Sequence, residues 1–196
     1  MTGLKGLASL IVGFIKSHTI YKSKMEHLKK YISEIQDFPK EGIVFKDINP
    51  IYKNPKIWKE LMWPLEQLIS NIKPNYIAGI ESRGFITASA LAFTNEIGFI
   101  PIRKPGKLPG KVFGINYKLE YGEDRLEVQK DMIKQTDRII IIDDLLATGG
   151  TASAAGNLIM KAGGQLIGYC FLVELTNLLG RRNLDNNLVI ESLIKY

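Results

Sequence analysis

The chain has 196 residues, of which 45% are hydrophobic and 23% are charged, and its formal net charge is +6. This length suits one domain with its own core, and a charged fraction near the globular average argues against disorder. The basic balance suits an anionic ligand, whether phosphate, nucleic acid or a membrane surface. The single cysteine, Cys170, excludes an internal disulfide and favours a cytoplasmic setting. One cysteine and two histidines in the whole sequence are too few to favour a zinc site of N and S ligands.

The first 24 residues differ in character from the rest. Residues 7–15 form an apolar run after Lys5, shorter than the about 18 apolar residues that a membrane span needs. A secretory signal, a packing or interfacial helix and an upstream extension of the reading frame all fit the run. The meagre positive charge and the missing cleavage pattern argue against the signal. We expect residues 1–24 to be a dispensable extension, with Met25 as the true start and one domain over residues 25–196.

Helical signals dominate the first part of that domain. A short helix is expected over residues 26–36. Asn54 and Pro55 are the cap and first-turn residues with which a second helix would begin. Apolar residues then recur at helical spacing as far as Ile69, and Pro64 within that pattern is expected to kink or interrupt the helix.

From Tyr76 onwards, continuous apolar strands alternate with helices. Strands are predicted at residues 76–80, 99–103, 138–142, 166–175 and 188–194. Helices are predicted at 84–93 and 151–162, the second ended by Gly163 in a left-handed cap. This alternation is typical of a mainly parallel sheet covered by helices. Residues 112–129 instead alternate in polarity, which predicts a hairpin laid over the sheet.

The strongest chemical signal lies in residues 139–151, with the sequence IIIIDDLLATGGT. An apolar strand ends in Asp143 and Asp144, and a loop of small residues leads into a helix. Ligands of open α/β sheets bind beyond the carboxyl ends of the strands, and helix N-termini bind phosphate. The aspartates would repel phosphate unless they face hydroxyls or a cation, and a ribose diol and Mg²⁺ meet that need. Together these features indicate a phosphoribosyl ligand.

Strand geometry places a condition on this interpretation. Neighbouring side chains of a strand point to opposite faces, so both aspartates reach one ribose only if the chain turns at Asp144. The alternative is a capped turn in which the aspartate pair is satisfied internally.

The string from Asp143 to Thr151 resembles the phosphoribosyl pyrophosphate motif of the type I phosphoribosyltransferase family, most closely the version in its adenine-using branch. The resemblance covers residue 25 to the C-terminus through further ordered segments: DFP at 37–39, GIVFKDI at 42–48, ESRGF at 81–85, RKPGKLPG at 103–110, YKLEYG at 117–122 and LVEL at 172–175. It implies a mainly parallel central sheet flanked by helices, with a small hood and a flexible hairpin lid. It also implies a homodimer in the cytoplasm, without a nucleic-acid or membrane partner.

The resemblance also implies the residues that bind phosphoribosyl pyrophosphate. Asp143 and Asp144 would bind the ribose. Mg²⁺ would be held mainly by substrate oxygens, with these aspartates as further ligands. The expected 5′-phosphate residues are Ala147, Thr148, Gly149, Gly150 and Thr151. The expected pyrophosphate residues are Ser82, Arg83, Arg103, Lys104 and Lys107.

Base selection follows from two further motifs. Hypoxanthine–guanine relatives carry an Asp near the purine N7 where this chain has Ala147, which exchanges no proton. Adenine relatives use the Glu of the 117–122 motif there, so Glu120 is the expected general acid/base, against the alternative of an ordinary strand carboxylate. The expected adenine residues are Val44, Phe45 and Lys46. Relatives commonly carry Arg at the last of these, and Lys does not replace Arg equivalently.

The implied reaction transfers the 5-phosphoribosyl group from phosphoribosyl pyrophosphate to adenine, giving AMP and pyrophosphate in purine salvage. Three alternatives stay open at this point. The first is a phosphoribosyltransferase for another base, and the second is a non-catalytic phosphoribosyl-binding regulator of nucleic acid. The third is a membrane-associated form anchored through residues 7–15.

Overall fold

The computed structural model of the chain describes residues 25–119 and 122–196. The chain divides into two compact units, residues 1–64 and 65–196. The expected extension of residues 1–24 and the general acid/base Glu120 lie outside the described residues. A single domain over residues 25–196 stays a prediction.

Short elements make up the described part of the first unit. A 3₁₀ turn at Glu26–Tyr31 is followed by β1 (Ser33–Ile35), which pairs antiparallel with β2 (Phe45–Asp47). The helix expected over residues 26–36 is therefore wrong beyond Tyr31. Pairing with β2 supplies residues 33–35 with backbone partners across the strands, and this pairing prevails over local helical preference. A five-residue helix, α1 (Asn49–Lys53), comes next.

The longest helix, α2 (Pro55–Ile72), begins where the sequence predicted. The side-chain Oδ1 of Asn54 accepts hydrogen bonds from the N–H groups of Lys56 and Ile57 at 3.2 and 3.3 Å, as an N-cap should. The helix continues past Pro64, so the proline does not interrupt it. Within the two described stretches, no helix is both long and apolar enough to cross a membrane.

The second unit is built on a five-stranded sheet in which all neighbouring strands run parallel. In spatial order its strands are β4 (Gly98–Ile102), β3 (Tyr76–Ile80), β7 (Arg138–Leu146), β8 (Gln165–Glu174) and β9 (Val189–Lys195). Two helices flank the sheet: α3 (Gly84–Thr94) packs on β3, β4 and β7, and α4 (Gly150–Lys161) packs on β7 and β8. The predicted α/β architecture is confirmed.

The core of this unit is centred on β7. Its four consecutive isoleucines, residues 139–142, have no exposed surface, because the central strand is covered on both faces. Burying each such side chain stabilises the fold by about 1.5–3 kcal/mol. After α4, Gly163 adopts φ +97°, the left-handed cap expected there.

The predicted hairpin is present. Strand β5 (Val112–Leu119) pairs antiparallel with β6 (Gly122–Gln129). Leu126 and Val128 are fully buried in the core of the sheet, and Nζ of Lys161 donates a hydrogen bond to the carbonyl of Gly114 at 2.9 Å. The hairpin therefore packs on α4 and on the core of the sheet.

Candidate active site

The predicted 5′-phosphate residues lie in the phosphate loop, residues 147–149 between β7 and α4, and at the first two positions of α4. They occupy consecutive positions at the carboxyl end of the central strand. Gly149 precedes the first residue of α4 and has φ +82°, a conformation that glycine adopts without steric cost. The first N–H groups of a helix have no intrahelical partner, so this loop ends in a set of donors suited to an anion.

The acidic pair lies in an extended strand and not in a turn. Strand β7 runs on to Leu146, which pairs with Glu174 of β8, so the chain stays extended through both aspartates. Pairing with β8 continues past the apolar run because backbone hydrogen bonds do not depend on side-chain polarity. The turn at Asp144, which was the condition for both side chains to reach one ribose, is therefore not formed.

Both aspartates nevertheless meet the turn that follows β3. Nε of Arg83 lies 2.8 Å from Oδ2 of Asp144. A Cβ placed on Gly84 would lie 2.6 Å from Oδ1 of Asp143, so a side chain at this position would require that carboxylate to move. Asp143 also accepts a hydrogen bond from the N–H of Asp144 at 3.0 Å. The turn at the start of α3 thus gathers the pair despite the extended strand.

Desolvation dominates the ionisation of this pair. Burial, followed by the charge of Asp144, raises the pKa of Asp143 well above its usual range. Burial also raises the pKa of Asp144, although the Arg83 guanidinium acts in the opposite direction. Two carboxylates that are costly to ionise gain from hydroxyl donors or from a cation, which is what a ribose diol or Mg²⁺ supplies.

The donor set limits how a metal could bind. Across residues 25–119 and 122–196, no group of three or more His, Cys, Asp or Glu side chains could hold an ion by itself. Mg²⁺ commonly takes one or two carboxylates and completes its shell with water and substrate phosphate oxygens. Asp143 and Asp144 could supply such carboxylates to Mg²⁺ that is otherwise bound by water and substrate phosphate oxygens.

The predicted pyrophosphate residues come together at the carboxyl ends of β3 and β4. Ser82 and Arg83 form the turn after β3, and the Glu81–Ser82 peptide is cis. Arg103 donates from Nε and Nη2 to the carboxylate of Glu81, at 3.2 Å for both bonds. The backbone N–H of Lys104 donates to the same carboxylate at 2.8 Å. Glu81 therefore holds the start of the segment 103–110, called here the basic loop.

Lys104 and Lys107 differ in their surroundings. The Lys104 ammonium forms an ion pair with Asp124 of β6 and donates to the hydroxyl of Tyr117 at 3.2 Å. The side chain of Lys107 is exposed, while its carbonyl accepts a hydrogen bond from Nη1 of Arg103 at 3.3 Å. Lys104 thus ties the basic loop to the hairpin.

These ion pairs shift the ionisation of their members. Burial alone would raise the pKa of Glu81, but hydrogen bonds from Lys104 and Arg103 hold it below its usual value. Burial likewise opposes the shifts in the second pair, where the Lys104–Asp124 hydrogen bond raises the pKa of Lys104 and lowers that of Asp124. The charges of Arg103 and Lys104 are therefore already balanced by carboxylates.

The hairpin passes beside the phosphate loop. A Cβ placed on Gly150 would lie 3.7 Å from the backbone carbonyl of Lys118, near the end of β5. Residues 120 and 121 follow that end and lie outside the described residues, so the role of Glu120 stays a prediction.

The predicted adenine residues belong to the first unit. Val44 is exposed, and the Phe45 ring packs edge-on against Phe38 with a centroid distance of 5.0 Å. Lys46 lies opposite Glu34 in the β1–β2 pair and forms an ion pair with it. Their contact with a base stays a prediction.

One element at this edge of the sheet was missed by sequence reasoning. The 3₁₀ turn Gly180–Asn183 follows β8 and contacts the phosphate loop, where Nδ2 of Asn183 donates to the carbonyl of Thr148 at 2.7 Å. A sequence signal was present, because each segment that follows a strand of a predicted parallel sheet starts at the same edge of that sheet.

A phosphate loop, an acidic pair and a basic turn at the carboxyl edge of a parallel sheet define the class of α/β proteins that bind phosphorylated sugars. The family model described as phosphoribosyl transferase domain matches residues 47–187. An adenine phosphoribosyltransferase of Prochlorococcus marinus (strain NATL2A) is 73% identical over 172 residues, covering 88% of this chain and 100% of that protein. One from Parasynechococcus marenigrum (strain WH8102) is 52% identical over 86% of this chain and 98% of its own.

Solved structures agree with this match. The adenine phosphoribosyltransferase of Thermoanaerobacter pseudethanolicus has a TM-score of 0.84 at 45% identity, with 88% of this chain and 99% of that one covered. The Saccharomyces cerevisiae enzyme, solved with an imino-altritol bisphosphate and adenine, has a TM-score of 0.80 at 40% identity, covering 87% of this chain and 98% of its own. The chain therefore belongs to the phosphoribosyl transferase family, in its adenine phosphoribosyltransferase group, and has the type I fold of that family.

Proposed function

We propose that this protein transfers the 5-phosphoribosyl group of phosphoribosyl pyrophosphate to adenine, giving AMP and pyrophosphate in purine salvage. One observation carries the proposal: Asp143 and Asp144 near the carboxyl end of β7 are followed within a few residues by the loop that ends at Gly149, in a chain 73% identical to an adenine phosphoribosyltransferase. The loop suits the 5′-phosphate and the aspartates suit the sugar that bears it.

In this proposal the enzyme holds the sugar phosphate at both ends. The N–H groups of residues 147–151 and the hydroxyls of Thr148 and Thr151 bind the 5′-phosphate, helped by the dipole of α4. On the family resemblance we assign the ribose hydroxyls to Asp143 and Asp144, because the Arg83–Gly84 turn contacts both carboxylates although the strand stays extended. Binding these remote groups fixes the anomeric carbon, C1, for attack and thereby lowers the entropic part of the barrier.

The leaving pyrophosphate acquires negative charge as the ribose becomes cationic. We assign its binding to Ser82, Arg83, Arg103, Lys104 and Lys107. Arg103 and Lys104 would exchange some of their hydrogen bonds to Glu81 and Asp124 for bonds to pyrophosphate oxygens, and preorganised donors of this kind stabilise developing charge. Mg²⁺, held by substrate oxygens with Asp143 and Asp144 as further ligands, would supply additional neutralisation of the leaving group.

N9 of adenine attacks C1 of the ribose as pyrophosphate leaves, and a general acid/base exchanges the proton at N7. The motif resemblance assigns that proton to Glu120 and the base contacts to Val44, Phe45 and Lys46. Glu120→Gln should lower kcat by about 10²-fold or more with adenine binding kept, because the amide cannot exchange the proton. The matched control is Glu123→Gln, an exposed carboxylate of β6, which should leave kcat unchanged. Equal kcat in wild type and Glu120→Gln would remove the assignment.

The decisive experiment supplies the purified protein with phosphoribosyl pyrophosphate, Mg²⁺ and one base at a time, and measures pyrophosphate release. Adenine should support turnover, with hypoxanthine, guanine, xanthine and orotate at least about tenfold poorer in kcat/KM. Preference for another base would move the protein to a different branch of the family. Ligand binding without turnover of any base would favour the regulatory alternative.

We also propose that the protein acts as a homodimer in the cytoplasm. Helix α3 leaves Phe93 85% exposed and Ile86 39% exposed, an apolar face that a second copy of the chain would cover. Sedimentation velocity should find a dimer, and Phe93→Lys should shift it towards monomer. A wild-type monomer at micromolar concentration would refute this proposal. Cell fractionation of the full chain and of a chain starting at Met25 would test both the location and the dispensability of residues 1–24.

A further inference from the structure

We propose that the turn Gly180–Asn183 positions the 5′-phosphate loop, and that Asn183 is a positioning residue for the phosphate-binding amides. The inference rests on the proposed function, because it assigns a task to the same loop. It adds an element that the phosphate motif itself does not contain, since the turn lies about 30 residues further along the chain.

The first support is the contact between the turn and the loop. Nδ2 of Asn183 donates to the carbonyl oxygen of Thr148 at 2.7 Å, across 35 positions of sequence. A trans peptide is planar, with its C=O and N–H groups pointing in opposite directions. By holding the Thr148 carbonyl, Asn183 therefore directs the N–H of Gly149 away from the turn. The orientation of a donor at the phosphate site depends on this side chain.

The second support is the close approach of two backbones. A Cβ placed on Gly180 would lie 2.2 Å from the carbonyl oxygen of Ala147, and one placed on Gly149 would lie 2.3 Å from the carbonyl oxygen of Gly180. Both clashes involve backbone atoms, which cannot rotate away as a side chain can. The turn and the loop are thus packed together through two glycines, and neither position tolerates a side chain without movement of the loop.

The third support is an anchor that fixes the turn to the sheet. The carboxylate of Glu174, at the end of β8, accepts hydrogen bonds from Nε and Nη2 of Arg181 at 2.7 and 2.8 Å. Arg181 donates further to the carbonyl of Ile190 at 2.8 Å and to the hydroxyl of Ser192 at 3.1 Å, both on β9. The turn is therefore held by two strands on one side and holds the phosphate loop on the other.

The test compares Asn183→Ala with Asn187→Ala, an exposed asparagine of the same segment whose side chain donates a hydrogen bond to Asp185. Ribose 5-phosphate and pyrophosphate are titrated calorimetrically into each protein. Loss of one hydrogen bond predicts about 3- to 10-fold weaker binding of ribose 5-phosphate to Asn183→Ala. Pyrophosphate affinity should not change, and Asn187→Ala should match wild type. In steady-state kinetics, the KM for phosphoribosyl pyrophosphate should rise while the KM for adenine stays constant.

Three outcomes would overturn the inference. These are unchanged affinity for ribose 5-phosphate, an equal loss for ribose 5-phosphate and pyrophosphate, and an equal loss in Asn187→Ala. Asn183 is exposed, so its alanine variant should fold. Gly180→Ala provides a second perturbation, and its clash with Ala147 should weaken ribose 5-phosphate binding more strongly than loss of the asparagine does. Failure of wild type to bind ribose 5-phosphate would instead refute the proposed function.

Discussion

The ion pair between Arg181 and Glu174 allows a quantitative prediction about stability. The Glu174 side chain is 5% exposed and that of Arg181 32% exposed, and two hydrogen bonds join them. Removing one member of a buried ion pair leaves the other charge buried without a partner, at a cost of about 3–5 kcal/mol. Because Arg181 is partly solvated and Lys195 stays 3.5 Å from the carboxylate, we reduce this to about 2–3 kcal/mol for Arg181→Met at pH 7.

The cost should depend on pH. Burial alone would raise the pKa of Glu174, but hydrogen bonds from Arg181 and Ser192 and the charges of Arg181 and Lys195 hold it below its usual value. Its stabilising contribution is therefore present above the unfolded pKa of about 4.3 and is lost as the pH falls through the lower folded value. In Arg181→Met the buried carboxylate binds a proton more readily, so the difference from wild type should shrink towards pH 4.

Urea unfolding of wild type and variant at pH 7 and at pH 4 measures that difference. Arg182→Met is the matched control, because Arg182 is the exposed neighbour in the same turn and its loss should cost less than about 0.5 kcal/mol. A difference for Arg181→Met that is the same at both pH values, or one no larger than that of the control, would refute the reasoning. The variant should also bind ribose 5-phosphate more weakly, since the turn would lose its anchor.

Two further predictions concern the site. Asp143→Asn should raise the free energy of unfolding by about 0.5–2 kcal/mol, because it removes a desolvated charge beside Asp144, and should lower kcat/KM by about 10- to 100-fold. The stability gain should vanish below about pH 3.9, where the Asp143 carboxyl is protonated in both the folded and the unfolded protein. Thermal melts and steady-state kinetics, with Asp131→Asn as the control variant, would check these expectations. Asp124→Asn should tighten inhibition by pyrophosphate about two- to fivefold, because Lys104 loses a competing partner, and an unchanged inhibition constant would contradict that competition.

The strands and the phosphate loop were predictable because their signals are local. The run of isoleucines before Asp143 and the glycines after Thr148 each determine a conformation within a few residues. The strand at residues 76–80, the hairpin and the helix after Gly149 were confirmed for this reason. The end of β7 was not, since its continuation to Leu146 depends on hydrogen bonds to β8, more than 20 residues away.

The partners of the charged side chains could not be predicted. Nothing local indicates that Glu81 holds Arg103, or that Lys104 pairs with Asp124 of the hairpin. The same holds for the 26–36 segment, where pairing with β2 replaced a helix. Such contacts depend on how distant elements are brought together, which short-range periodicity does not encode.

The amino-acid sequence by itself determined the alternation of strands and helices, the phosphate loop and the membership of a family, because each depends on residues close together in the chain. Tertiary structure alone decided which carboxylate balances which cation, and that the turn Gly180–Asn183 contacts the phosphate loop. The physical reason is that hydrogen bonds and ion pairs between remote segments form only after the sheet has placed those segments at a common edge.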